Sequence, residues 1–90
     1  MKDLRTHQRA KAAAMEILEQ VVEEVEKARQ VRGMSVADLA ERAHLSKRTV
    51  GLIRSLKVEP AMSSLIALVE SVGLRLAISA RLDQIGRAHV

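Results

Sequence analysis

Cysteine, phenylalanine, tyrosine and tryptophan are all missing from this chain of 90 residues, and proline occurs once, at Pro60. Without cysteine there is no disulfide framework, no thiolate nucleophile and no cysteine-based zinc finger. Without aromatics the core must be built from Leu, Ile, Val, Ala and Met, which suits thin helical layers. The stacking platforms that single-strand and RNA binders use are missing too. No apolar run approaches membrane-spanning length. The N-terminus carries charge but no apolar h-region, so no signal peptide and a cytoplasmic location are expected. No glycine-rich phosphate loop or activated nucleophile is visible. His7, His44 and His89 lack the spacing of a metal site and read as surface or turn residues. Neither a cofactor nor enzymatic activity is expected.

The length suits one domain. The net charge of +4 is mild, but its distribution is uneven. Glu16, Glu19, Glu23, Glu24 and Glu26 fall within residues 16–26, where no base occurs. Arg42, Lys47, Arg48, Arg54 and Lys57 fall within residues 42–57, where no acid occurs. Phosphate would repel the first stretch and attract the second. The glutamates read as a solvated or partner-facing helix surface, because catalytic carboxylate pairs need a pocket to separate their pKa values.

Along the chain, Ala10, Ala14, Ile17, Val21, Val25 and Ala28 recur at spacings of three and four. They predict one long helix over residues 4–32, or two in line, capped by Gly33. Its opening dozen residues are polar, and its surplus length asks for a partner surface. Ser35 and Asp38 have the spacing of a capping box for a second helix that ends near Ala43. Ser46 caps a third helix, Lys47 to Leu56. Pro60 breaks the chain, and Ser63 or Ser64 caps a fourth helix that Gly73 stops. The period then changes to two: Leu74, Leu76, Ile78 and Ala80 alternate with Arg75, Ala77, Ser79 and Arg81, which predicts a strand. A lone strand is unstable, and no other segment reads as its partner. Pairing with the same strand of a second subunit across a two-fold axis is therefore expected. The expected divisions are an N-terminal arm or helix extension at 1–15, a helical domain at 16–73, a dimerisation strand at 74–82 and a tail at 83–90.

The ordered set Arg29, Arg32-Gly33-Met34-Ser35, Asp38-Leu39-Ala40, Ala43, Leu45-Ser46-Lys47-Arg48-Thr49-Val50, Ile53, Pro60 and Leu65 to Gly73 resembles the lambda-repressor-like, Cro/C1-type (XRE) helix-turn-helix regulators. The resemblance covers roughly residues 20–75. It implies a mainly α fold and a homodimer on palindromic double-stranded DNA. The strand after the fourth helix is similar to antitoxins of the HipB and HigA types, which implies a cognate toxin as a further partner. Three positions depart from the family pattern. Val36 replaces a Gln that contacts phosphate and braces the recognition helix. His44 replaces a turn Gly. Arg54-Ser55-Leu56 replaces Glu-x-Gly, so a core-supporting acid has become a base.

By the same resemblance, Lys47 and Arg48 at the first turn of the third helix reach base edges, where Arg or Lys against guanine O6 and N7 is the commonest specific pairing. The alternative is solvent exposure or phosphate contact alone. Thr49 touches a thymine methyl or a phosphate, or is plain helix surface. Gly51 allows a close approach to DNA, or tight packing on the second helix, or is neutral. Leu52 meets a thymine methyl or joins a satellite of the core. Ser46 caps its helix and lies where a phosphate could bind, and Ser35 does the same one helix earlier. Arg54 and Lys57 are expected to neutralise phosphates. The leading function is sequence-specific DNA binding as a transcriptional regulator, a repressor in the first instance, with an antitoxin role within that reading. The alternative is a protein-interaction module with weak or vestigial DNA binding.

Overall fold

The computed structural model describes residues 4–77 and 79. Four helices follow one another: α1 (Leu4–Val31), α2 (Val36–Ala43), α3 (Lys47–Arg54) and α4 (Met62–Ser71). α1 runs 28 residues without Gly or Pro and is about 42 Å long at 1.5 Å per residue. It is continuous from Leu4, so the described part of the N-terminal extension is helix. Among the described residues no helix is long and apolar enough to cross a membrane.

Helix boundaries follow local chemistry. Gly33 ends α1 at φ 64. Its N–H bonds to the Gln30 carbonyl and the Met34 N–H to the Arg29 carbonyl, which satisfies carbonyls that the helix end would otherwise strand. Both halves of the α2 capping box form. The Asp38 N–H donates to Ser35 Oγ, and the Ser35 N–H donates to the Asp38 carboxylate, each at 3.0 Å. Those bonds, the one from the Ser35 backbone first, hold the Asp38 carboxyl below its usual pKa.

The α2–α3 turn closes in the same way as the end of α1, but with His44 in the left-handed conformation (φ 58, ψ 40). The His44 and Leu45 N–H groups bond to the Glu41 and Ala40 carbonyls. Histidine thus adopts a conformation that glycine usually supplies. A left-handed L-residue costs about 1–2 kcal/mol, and His44 is exposed, so its side chain returns little. His44→Gly is expected to raise stability by about 1 kcal/mol, read as a thermal midpoint roughly 4–8 °C higher. Leu56 at the end of α3 has φ 61, but its side chain packs against the core. Leu56→Gly is expected to lower the midpoint, because it removes that contact along with the strain.

The core lies where the helices meet. Leu39, Val50, Ile53, Leu68, Val72 and Val25 are fully buried. α2 packs on both α3 and α4, and α1 closes against α4. Burying each such side chain contributes about 1.5–3 kcal/mol. That tertiary term holds eight-residue helices that would not persist alone.

Three expectations need correction. α3 ends at Arg54 rather than Leu56, because Leu56 is left-handed. α4 starts at Met62, with Ala61 as its N-cap and no side-chain cap bond. Ser63 and Ser64 therefore lie inside its first turn. The mainly α class with a C-terminal dimerisation strand gives way to an all-α fold: residues 74–77 and 79 carry no strand. A strand needs a neighbour for its N–H and C=O groups, and the described chain offers none. Leu76 instead packs on the core and Leu74 stays exposed, beside Val21 and Val25 of α1 and Val69 of α4. Ile78 and Ala80 lie outside the described residues, as does the tail at 83–90.

Candidate functional site

Ser46 holds the N-terminus of α3. Its Oγ accepts the Thr49 N–H at 3.0 Å and donates to Thr49 Oγ1 at 2.9 Å. Thr49 is thereby part of the cap and only half exposed. Val50 and Ile53 are buried, so the positions opposite them on a 3.6-residue helix are Arg48, Gly51, Leu52 and Ser55, with Lys47 alongside. Lys47 and Arg48 are exposed. Neither is within ion-pair distance of an acid among the described residues. The first turn of α3 carries no acid, so two cations face a helix N-terminus that favours anions. The result is a protruding, positively charged helix end on a fixed mount.

Gly51 is half exposed, and a Cβ built there meets nothing within 4 Å. Packing against α2 therefore does not require it. Leu52 is half exposed and lies outside the core cluster. Lys57 is exposed and unpaired among the described residues. Ser35 is exposed and occupied as the α2 cap. Val36 is half buried against the core, so its position serves packing. Among the described residues no three His, Asp or Glu side chains gather as a metal site requires, and His89 lies outside them.

Arg54 is placed differently from its sequence expectation. Its Nε and Nη2 donate to the two Glu26 carboxylate oxygens at 2.9 and 2.8 Å. Arg29 donates to the same carboxylate from Nε and Nη2, the latter at 3.0 Å. Its Nη1 reaches the Met34 carbonyl at 2.7 Å. All three side chains are largely covered, with 22% of Glu26 and 31% of Arg54 exposed. Bidentate charge-assisted bonds of this kind are the strong ones. The Arg54 bonds above all, against the cost of burial, with Arg29 adding to them, pull the Glu26 pKa down to about 2. The Arg54 pKa is raised, first by its bonds to Glu26. Arg54 is a brace between α3 and α1.

Glu26 is thus set apart from the solvated or partner-facing surface expected of the acidic stretch. The available signal was the departure at Arg54: a base at a core-supporting position needs an acid from somewhere, and Glu26 lies one helical turn before Arg29. The acid that holds Arg54 is supplied by α1.

Among the described residues the arrangement is a small all-α domain of four helices, of helix-turn-helix type in general. Comparison with known proteins finds no matching family, no matching curated protein and no matching solved structure.

Proposed function

We propose that this protein binds double-stranded DNA sequence-specifically, with α3 as its reading helix, and acts as a transcriptional repressor by occupying a promoter. The observation that carries the reading is the first turn of α3: Lys47 and Arg48 exposed, unpaired by any acid among the described residues, on a helix start that Ser46 caps. Guanidinium and ammonium groups at a capped helix start suit base edges in a major groove. The residue pattern shared with Cro/C1-type regulators supports the same reading. Lys57 adds a phosphate contact, whereas Arg54 acts through Glu26.

The test is binding of the full chain to duplex DNA from its own promoter and to random duplex, at low and high salt. Preference for the promoter duplex supports the reading, and equal binding to both sinks it. Lys57→Ala is expected to reduce the slope of log affinity against log salt by about one counterion.

Gly51 supplies a finer test. Gly51→Ala is expected to stabilise the free fold by about 1 kcal/mol, since a helical alanine is favoured over glycine and nothing blocks the new methyl. If Gly51 faces the groove, that more stable variant binds promoter DNA more weakly. Unchanged affinity would remove Gly51 from the interface.

A further inference from the structure

The turn between α2 and α3 borders a groove that DNA reading by α3 does not use. Arg42, Ala43 and His44 at the end of α2 form one side, and Ala67, Glu70 and Ser71 of α4 form the other. Its volume is about 340 Å³, which suits a small organic molecule.

Two features single this groove out. The first is His44, which lines it in a left-handed conformation that glycine adopts without cost. Its side chain is exposed, and strain kept where packing returns little points to a use for that side chain. The second feature is the polar lining. Arg42 and Glu70 stand on opposite sides, yet neither forms an ion pair with any described residue. The Arg42 charge also acts on Asp38, one turn earlier, but that carboxylate accepts the Ser35 N–H. Ser71 is the one buried polar residue among those described. It donates its hydroxyl proton to the Leu68 carbonyl at 2.6 Å, which leaves the oxygen lone pairs to accept.

The two sides thus differ in chemistry. Arg42 and His44 donate hydrogen bonds, which suits a carboxylate. Glu70 and Ser71 accept them, which suits an ammonium group. Ala43 and Ala67 are small and leave space between. We propose that this groove binds a small zwitterion of the free α-amino-acid class. Its carboxylate lies at Arg42 and His44, and its ammonium group at Glu70 and Ser71. A ligand carrying one of the two charges leaves the opposite side without a partner and binds more weakly. The site does not depend on DNA binding.

The test is a nuclear magnetic resonance titration of the full chain, without DNA, with free amino acids one at a time. Acetate and methylammonium serve as half-ligands. At least one amino acid is expected to give saturable shifts of the Ala43, His44 and Ser71 amides. It is expected to bind about tenfold or more tightly than either half-ligand. Arg42 and Glu70 are exposed, so Arg42→Ala and Glu70→Gln are expected to keep the fold while each weakens binding about tenfold or more. His44→Gly separates ligand from fold: the thermal midpoint rises while affinity falls. No saturable shift with any amino acid overturns the proposal. So does affinity that Arg42→Ala or Glu70→Gln leaves unchanged. Acetate binding as tightly as the best amino acid also overturns it, and makes the groove a simple anion site. A chain that binds an amino acid here yet shows no promoter preference would leave this inference standing and sink the DNA reading alone.

Discussion

Glu26→Gln is expected to cost this domain about 3 kcal/mol at neutral pH. Two guanidinium groups converge on that carboxylate, and the amide would leave both largely covered and short of a counter-charge. Breaking a buried pair from one side costs about 3–5 kcal/mol, and partial exposure here places the loss at or below the lower end. A domain of this size has a total stability of about 5–13 kcal/mol. The thermal midpoint should therefore fall by roughly 10–20 °C.

The pH dependence has a definite sign. Glu26 titrates near 2 in the fold against an ordinary 4.5, so its folded-state pKa is depressed. The stability it contributes is complete above about pH 4.5 and is lost as pH falls toward 2. At 1.36 kcal/mol per pKa unit, the wild-type advantage over Glu26→Gln is about 3 kcal/mol at pH 7 and about 1 kcal/mol at pH 3. Urea titrations of both proteins at the two pH values measure it. A gap that stays constant with pH would show that packing or hydrogen bonding, rather than charge, holds α3 to α1. Asp38 titrates in the same direction in both proteins and so cancels in the difference.

Lys47→Ala combined with Arg48→Ala is expected to leave the fold intact and remove promoter preference. Both side chains are exposed, and no acid pairs with either among the described residues. Their removal also relieves the unfavourable charge at the α3 N-terminus, so the midpoint should hold or rise slightly. Each good base contact discriminates by about 1–3 kcal/mol, or roughly 5- to 150-fold. Loss of both should bring promoter binding close to that of random duplex in a competition titration. Full discrimination in the double variant would mean that other residues read the bases. Arg54→Gln gives the complementary pattern, a lower midpoint with no direct change in the salt slope, because Arg54 is committed to Glu26.

The α2–α3 unit was legible because its determinants are local. Ser35 with Asp38, and Ser46 ahead of Lys47, fix where two helices begin, and Val50 and Ile53 fix which face of α3 turns inward. The ends were less legible. A left-handed His44 or Leu56 has no signal of the kind glycine gives, and Ser63 and Ser64 looked like caps although α4 begins at Met62 without one. The alternation from Leu74 onward read as a strand because period two is all that sequence offers there. Whether such a segment forms a strand depends on a neighbour that its own residues do not supply.

By itself the sequence determined four helical segments ahead of Gly73, the aliphatic core and the basic first turn of α3, because caps, periodicity and charge act over a few residues. Tertiary structure alone decided that Glu26 and Arg54, 28 positions apart, share two hydrogen bonds. It also set Leu76 against the core and left Ile17 open beside it. Those outcomes depend on which groups meet in space, and only packing the helices on one another brings them together.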